Sequence, residues 1–449
     1  MGAALGMGTV AGAVRERLVA FVEEVTSGLT HVRRRENALV YVRGLIEYGG
    51  RKSLQPTLFR LGEDAARYES VQQFLADSPW DPVVLLRACA ERVAPELGVT
   101  AWVVDDTGVR KDGEHSPGVK RQWSGTLGKV DNCQITVSVH AVGVRGTLPL
   151  GWALYLPEEW CEDLPRRRKA KIPDEVSFRT KPELACALAE EAAVWEIPRA
   201  PILADQAYGD NAAFRTGLHE AGLEYLLAVG SETGVFGPET SFSVPARKGA
   251  TGRPRTVARP DRKQESVRAL AERLPAEAFK TLPCRTTPAG EEVESRFAFV
   301  RVVASHPVLR DHLQPRQEWL IIEWPEAEEA PSNYWLSNLP ADTSHERLAR
   351  LARLRWVVEL DYRQLKGELG LDQLRRPQLP RLPPSLRPRH LRARLPHPGA
   401  ARPKSPAAGL TLPQAVLLLQ PVLRCWAGRC RTCNQPVDLD QLTLFPRRE

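Results

Sequence analysis

The chain has few features that would place it in a membrane or outside the cell. It contains no apolar run of about 18 residues, the length that a membrane-spanning helix needs. The first residues are small and apolar without a basic leader, which argues against a secretory signal. The eight cysteines are mostly scattered, as is usual in a reducing compartment. We therefore expect a cytoplasmic protein with no membrane partner.

Acidic residues are missing from one long stretch of the chain. Residues 375–404 carry nine Lys and Arg and no Asp or Glu. Their charge of +9 is larger than the net charge of +7 of all 449 residues. The rest of the chain is therefore close to neutral. This charge balance is compatible with a polyanionic partner but does not establish one.

Helical patterns fill the N-terminal part. Residues 12–95 repeat apolar positions at three- and four-residue spacing, which predicts a helical module. Asp81 is placed as a helix cap, with Pro82 in the first turn. The sequence has no clear helix-turn-helix motif, so a DNA-binding role for this module is a hypothesis only.

From residue 98 the pattern is that of strands. "TAWVVDD" predicts a buried strand that ends at Asp105 and Asp106, and "CQITVSVHAV" alternates strictly, as a half-buried strand does. Helices then alternate with strands over the rest of residues 98–230, and the strand "PILAD" ends at Asp205. This order predicts an α/β fold whose mixed sheet is part antiparallel and part parallel.

Two further segments complete the predicted globular part. Residues 231–335 are rich in Gly, Pro and charge, with a few strand patterns, and predict a β-rich insertion. Residues 336–372 contain "SHERLARLARLRWVVELDYRQLKGEL", which predicts one long helix capped by Ser344.

One face of this predicted helix carries a carboxylate between two cations. At about 100° per residue, four side chains fall within roughly 60° of one another, namely Arg355, Glu359, Tyr362 and Lys366. Three carboxylates that converge from two strand ends and this helix would raise each other's pKa unless a divalent ion lay between them. Oxygen ligands suit Mg²⁺ or Mn²⁺, and two such ions can activate the attacking oxygen and stabilise the leaving one at a phosphodiester.

Each of these signals also has a simpler explanation. An Asp at a strand end is often a turn or cap residue. A Glu between an Arg and a Lys on a helix often belongs to a solvated charge network. The joint occurrence of the three acids in this order favours the metal site.

Four blocks of the sequence carry a resemblance to a known family. They are "DDTGVRKDGEHSPGVKRQWSGTLGKVDNCQ", "ILADQAYGDNAAFR", "YWLSNLPADT" and "LRWVVELDYRQLKGELGLD". These blocks resemble bacterial insertion-sequence transposases of the DDE superfamily, whose catalytic core has the RNase H-like fold. The resemblance implies that Asp106, Asp205 and Glu359 are the catalytic residues and bind Mg²⁺ or Mn²⁺, with two ions expected. Asp105 is the alternative first ligand, since strand alternation lets only one of the pair face the metal.

The same family carries a Tyr, Arg, Glu, Lys signature around the third acid. Arg355, Glu359 and Lys366 fit its spacing, and Ala352 stands at the tyrosine position. This departure affects a phosphate or base contact rather than the metal ligands.

The basic segment between the first two strands is the other expected DNA contact. Together with Arg355 and Lys366, the predicted DNA-binding residues are Lys111, Lys120, Arg121, Trp123 and Lys129. The cations would hold the phosphate backbone, and the indole would stack on a base. The alternative is a plain surface hairpin.

The last part of the chain fits no regular pattern. Residues 373–403 are rich in Pro and Arg, which is typical of a disordered basic linker. The alternative is a frame-shifted segment, because a reading displaced by one base can encode the sequence that the resembled family has at this place. Residues 404–449 form a C-terminal tail. In this tail Cys430 and Cys433 make one C-x2-C pair, and with Cys425 they are one short of a four-ligand zinc site.

These features together predict a DNA transposase. It would hydrolyse phosphodiesters and transfer strands at insertion-sequence ends, with a metal cofactor. Its partners would be double-stranded DNA, both terminal inverted repeats and target, and it would act as a homodimer in a synaptic complex at the bacterial nucleoid. Two alternatives are a catalytically impaired relative that only binds DNA and a stand-alone RNase H-like nuclease.

Overall fold

The computed structural model describes most of the chain. The described residues are 11–371, apart from 48, 50, 245–257, 288–289 and 306–315, together with 412–442. They form an α/β fold with one large mixed sheet and flanking helices, so the predicted RNase H-like fold class is confirmed. The Pro/Arg-rich segment 373–403 lies outside the described residues. None of the described helices is long and apolar enough to cross a membrane.

The N-terminal part of the described chain is helical. Its helices are α1 (Ala11–Val25), α2 (Val32–Ile46), α3 (Leu54–Leu61), α4 (Ala65–Ala76) and α5 (Pro82–Leu97). As predicted, the Asp81 side chain caps α5 by accepting a hydrogen bond from the amide of Val83, and Pro82 lies in the first turn. Gly98 adopts a left-handed φ of 63°, which ends α5 and leads into the first strand.

The first half of the sheet lies in residues 99–229. Its strands are β1 (Val99–Arg110), β2 (Lys120–Ser124), β3 (Lys129–Gly143), β4 (Gly146–Leu154), β5 (Ile202–Ala204) and β6 (Tyr225–Val229). The helices among them are α6 (Glu158–Glu162), α7 (Leu164–Lys169), α8 (Lys181–Ala193), α9 (Gln206–Gly209) and α10 (Ala212–Glu220). β1 is antiparallel to β3 and parallel to β5, and β5 is parallel to β6. β2 and β4 both pair with β3, along different parts of it.

The first strand does not end at the paired aspartates, and the prediction that it does is wrong. β1 continues to Arg110, because β3 pairs with it without interruption as far as the Arg110–Cys133 pair. Asp105 and Asp106 therefore lie inside a strand, and their side chains point to opposite faces of the sheet.

Residues 231–335 add strands to this same sheet. Their elements are β7 (Gly234–Phe236), β8 (Phe242–Ser243), β9 (Arg259–Pro260), β10 (Glu265–Ser266), α11 (Val267–Arg273), a 3-10 turn (Ala276–Ala278), β11 (Lys280–Thr286), β12 (Glu292–Ala304) and β13 (Gln317–Trp324). β14 (Asn333–Ser337) then pairs with both β13 and β6. Among the described residues the result is a twelve-stranded sheet, with only β8 and β9 forming a separate pair.

Helices cover both faces of the sheet around β1. On one face, the alanines of α8 pack on Trp102 and Val104 of β1. On the opposite face, Val103 packs in a cluster with residues from two later helices, α12 (His345–Ala352) and α13 (Val357–Leu369). The buried members of α13 in this cluster are Val358 and Tyr362.

The prediction of a single long helix within residues 336–372 is wrong, because a turn divides this segment into α12 and α13. Ser344 caps α12 as predicted, by accepting a hydrogen bond from the amide of Arg347. In the turn, the guanidinium of Arg353 forms hydrogen bonds of 2.7 and 2.9 Å to the fully buried carboxylate of Glu323. A buried charge needs a partner, and we attribute the break in the helix to this ion pair.

The C-terminal helix α14 (Leu412–Arg424) returns to the N-terminal helices. The Gln420 side chain donates to the carbonyl of Ile46 at 3.0 Å, and Arg431 pairs with Glu47 at 2.8 Å. The guanidinium of Arg43 lies 4.3 Å from the ring centre of Trp426. Residues 412–442, the described part of the tail, thus pack on the N-terminal helices.

The packing of α14 predicts a difference between two of its residues. Val422 is fully buried and Leu417 is 59% exposed. Val422→Ala should lower the free energy of unfolding by about 1–3 kcal/mol, because it removes buried methyl groups and leaves a cavity. Leu417→Ala is the matched control, with an expected change below about 0.5 kcal/mol. Urea unfolding measures both, and equal effects would contradict the docking of α14.

Candidate active site

The two adjacent aspartates of β1 face different helices. Asp105 is 9% exposed, and its Oδ2 lies 3.3 Å from Nη1 of Arg355, at the start of α13. Asp106 points to the other face, where its Oδ2 lies 2.9 Å from Nζ of Lys181 in α8 and 3.5 Å from the hydroxyl of Tyr208. The structure thus turns Asp105, rather than the preferred Asp106, toward the helix that carries Glu359.

Asp205 follows β5 directly and caps the short helix α9. Its Oδ1 accepts a hydrogen bond from the amide of Tyr208 at 3.3 Å. β1 and β5 pair in parallel with Val103 beside Leu203, so the same register carried two residues further puts Asp205 level with Asp105. Two acids from neighbouring parallel strands thus meet at the carboxyl end of the sheet, where open α/β sheets hold their sites.

Side chains of α13 and of the turn before it touch β1 and β3 along one line. Nη2 of Arg355 lies 3.0 Å from Oε1 of Glu359, so this guanidinium joins Glu359 to Asp105. Further along α13, the hydroxyl of Tyr362 lies 2.6 Å from Oγ of Ser138. Of the four side chains predicted to share a helix face, Glu359, Tyr362 and Lys366 lie on α13, whereas Arg355 lies in the turn before it. Glu359 is 56% exposed.

Lys366 completes this line of contacts. Its Nζ donates to Oγ1 of Thr107 at 2.8 Å and to the carbonyl of Gly108 at 3.1 Å. Thr107 lies two residues beyond Asp105 on the same face of β1. In the structure, Lys366 therefore holds α13 against β1.

Burial raises the pKa of both Asp105 and Asp205. It raises the pKa of Asp105 from 3.8 to about 7, although the guanidinium of Arg355 opposes this and the carboxylates of Asp205 and Asp106 add to it. Burial also raises the pKa of Asp205, again against the effect of Arg355. Shifts of this size in a cleft are a common property of functional sites.

The donor atoms fit a hard divalent ion, but the arrangement of side chains differs from a closed metal site. Asp105, Asp205 and Glu359 offer carboxylate oxygens only, which suits Mg²⁺ or Mn²⁺. Within the described ranges, no three His, Cys, Asp or Glu side chains lie close enough to hold a metal ion. Here the cation in contact with Asp105 and Glu359 is Arg355.

A buried polar network beneath α13 was missed by the sequence reasoning. Nε2 of the fully buried His140 lies 2.8 Å from Oγ of Ser138, and its Nδ1 lies 3.4 Å from a carboxylate oxygen of Asp361. Trp152 and Tyr362 meet the His140 ring edge to face. The alternation of "CQITVSVHAV" could have indicated this, since Ser138 and His140 fall on the face opposite its apolar residues.

The predicted DNA-binding residues of the hairpin lie away from the carboxylates, on β2 and the segments beside it. Lys120 pairs with Glu159 at 2.8 Å, and Lys129 pairs with Asp131 at 3.1 Å. Arg121 is exposed, and Trp123 is 62% exposed. Lys111 is half-buried just after β1. Lys120, Arg121 and Trp123 therefore lie on β2, which β3 separates from β1.

The C-terminal cysteines do not form a metal cluster within the described part of the chain. The thiol of Cys430 receives hydrogen bonds from the backbone amides of Cys433 and Thr432, which lower its pKa to about 7. Cys425 is buried at the end of α14. Among the described residues these thiols therefore belong to no group of three potential metal ligands.

Parts of the chain are similar to known proteins. A profile of the family described as DDE superfamily endonuclease matches residues 24–289, more than half of the chain. The match includes Asp105, Asp106 and Asp205 but ends before α13. A stretch of 166 residues is 31% identical to a protein of Microchaete diplosiphon described as a probable transposase for insertion sequence element IS701. That stretch is 36% of this chain and 41% of the relative, so less than half of the relative is spanned.

The raised pKa of Asp105 predicts a stability that depends on pH. Between the usual pKa of 3.8 and the folded value of about 7, the folded state binds more protons than the unfolded state. The contribution of Asp105 to the free energy of unfolding is therefore fully present below pH 3.8 and is lost as the pH rises through 7. Asp105→Asn should be more stable than the wild type at pH 8, by about 1–3 kcal/mol, and equally stable near pH 4. Urea unfolding across this range measures the difference.

Asp106→Asn is the matched control for that experiment. It removes the neighbouring carboxylate, which is paired with Lys181 on the other face, and should gain no stability at pH 8. An Asp105→Asn variant that is less stable than the wild type at both pH values would contradict the interpretation.

Proposed function

The chain belongs to the DDE superfamily endonuclease family, and on this premise we propose that it is a transposase that cuts and joins DNA at insertion-sequence ends. The observation that carries the proposal is the meeting of Asp105, Asp205 and the helix of Glu359 at one end of two parallel strands. The relative from Microchaete diplosiphon, itself described as a probable transposase, supports the same reading.

We propose that Asp105, Asp205 and Glu359 hold the divalent metal that enzymes of the DDE superfamily use. Mg²⁺ or Mn²⁺ is the proposed ion, because the donors are carboxylate oxygens only. Two ions are proposed, because a pair of ions can serve both the attacking and the leaving oxygen. When bound, such ions activate the attacking oxygen and stabilise the leaving oxygen at a phosphodiester. Asp105 is preferred to Asp106 as the first ligand because its side chain lies on the face that α13 covers.

Arg355 would have two successive roles. Its guanidinium now neutralises Asp105 and Glu359. A bound cation would supply that charge, which would release Arg355 to form charge-assisted hydrogen bonds with a phosphate. The carboxylate of Glu359 is exposed enough to turn toward the two aspartates once this pair opens.

The proposed partner is double-stranded DNA, both the terminal inverted repeats and the target, and the proposed place of action is the bacterial nucleoid. The exposed Arg121 and Trp123 on β2 support a DNA surface, since they offer a phosphate contact and a stacking ring. A homodimer in a synaptic complex is proposed because two transposon ends have to be held together.

Substitution of the acids tests the function directly. Asp105→Ala, Asp205→Ala and Glu359→Ala should each lower Mg²⁺-dependent cleavage of inverted-repeat DNA by more than about 100-fold. Even the loss of a residue that only hydrogen-bonds to a metal ligand costs about 10- to 100-fold. DNA affinity, measured by fluorescence anisotropy in EDTA, should stay within a few fold. Asp106→Ala is the matched control and should keep more activity than Asp105→Ala.

Three outcomes of that assay would change the proposal. An Asp205→Ala variant that still cleaves would overturn the assignment of the site. Binding by the wild type without any cleavage would indicate an impaired relative that only binds DNA. Cleavage without strand joining would indicate a stand-alone nuclease.

The β2 surface predicts the salt dependence of DNA binding. Loss of one phosphate contact in Arg121→Gln should reduce the slope of log K against log salt concentration by about 0.9. Arg273→Gln, which removes an exposed arginine of α11 that is paired with Glu265, is the control and should leave the slope unchanged. Equal slopes for Arg121→Gln and the wild type would exclude Arg121 as a phosphate contact.

A further inference from the structure

Two clefts join the candidate active site to the opposite end of the sheet. One, of about 700 Å³, contains Asp205 and Arg355 in its lining. The other, of about 1070 Å³, lies beside the amino-terminal ends of β1, β5 and β6, where it is lined by Val99, Pro201 and Glu224. The two clefts share a wall made by residues of β11 and of the turn between α12 and α13. The two clefts are therefore neighbours that meet at Arg285 and Trp356, and together they are called the groove, whose smaller part contains Asp205.

The larger cleft carries positive charge that the protein itself leaves unpaired. Within the described residues, Arg199, Arg285 and Arg347 line it and form no ion pair with a carboxylate, and all three are exposed. Two other arginines of this cleft are already paired, Arg350 with Glu292 and Arg353 with Glu323. The unpaired cations are thus available to an anionic ligand.

Carboxylates also border the groove and limit where an anion can lie. Glu224 and Glu346 are on the larger cleft, and Glu294 and Glu326 are on the smaller one. These side chains are exposed. A polyanion should therefore contact the arginines at separate points rather than along a uniformly basic wall.

The shared wall also carries an aromatic platform. Trp356 is 39% exposed, although large apolar side chains are usually covered, and it lies in the turn before α13. The guanidinium of Arg285 lies 5.7 Å from its ring centre. An exposed indole next to unpaired arginines is what proteins use to stack a base while they hold the adjoining phosphates.

We propose that this groove binds single-stranded DNA that leads to or from the active site, with Trp356 stacking on a base and Arg285, Arg347 and Arg199 contacting phosphates. A single strand fits better than a duplex, because a base inside a duplex is already stacked on its neighbours and cannot take the indole. The inference rests on the proposed function, since local opening of the duplex at a cut transposon end would supply the unpaired nucleotides. It adds a binding surface that is distinct from the metal ligands and from β2.

Binding of oligo(dT) of about 15 nucleotides in EDTA tests the surface without any chemistry. Trp356→Ala should weaken the affinity by about 5- to 150-fold, as expected for a stacked base, and Trp356→Tyr should restore most of it. Phe59→Ala is the matched control, because Phe59 is an aromatic residue of α3 that is 83% exposed and lies outside the groove. It should leave the affinity unchanged.

Two further measurements identify the contacts. An oligonucleotide with one 5-iodouracil should photocross-link to the wild type at Trp356. Arg285→Gln and Arg347→Gln should each reduce the salt slope for the single strand by about 0.7, while Arg273→Gln should not.

The outcomes separate this inference from the proposed function. Suppose that Trp356→Ala binds oligo(dT) as tightly as the wild type, and that the wild type cleaves inverted repeats in a reaction that needs Asp105. This result would overturn single-strand binding in the groove and leave the transposase proposal standing. A wild type that binds the single strand at Trp356 but never cleaves would support the groove and overturn the activity. Equal loss of duplex and single-strand binding in Trp356→Ala would also count against a single-strand site.

Discussion

The structure around the candidate site depends on the buried charge of Asp105. A carboxylate that is 9% exposed in the middle of a strand needs a cation, and Arg355 supplies one from the segment that leads into α13. The same guanidinium holds Glu359, while Tyr362 and Lys366 fix the rest of the helix to β3 and β1. The position of the third acid therefore follows from the need to neutralise the first.

The sheet turns this local requirement into a site. Parallel pairing of β1 with β5 brings Asp205 beside Asp105, and the strands of residues 231–335 extend the sheet without separating the acids from α13. The break between α12 and α13 has a similar electrostatic origin, because Arg353 is drawn to the buried Glu323. The exposed Trp356 lies in that same turn, so the break also creates the groove that leads away from the acids.

Sequence reasoning recovered the elements that have a local cause. Helix caps at Asp81 and Ser344 follow from short-range hydrogen bonds, and the shared face of α13 follows from the angle per residue. It failed where a distant partner decided the outcome. The end of β1 depends on how far β3 continues beside it, and the turn after Ala352 depends on an ion pair with β13.

The sequence alone determined the order of the three acids and, through periodicities of 3.6 and 2, the α/β class. The period of 2 also means that only one of two adjacent aspartates can face a given side of the sheet. Which aspartate faces α13 was decided only by the tertiary structure. Alternation leaves both choices open, and the packing of α8 on one face and α13 on the other selects between them. Asp106 meets Lys181 on the first face, and Asp105 meets Arg355 on the second.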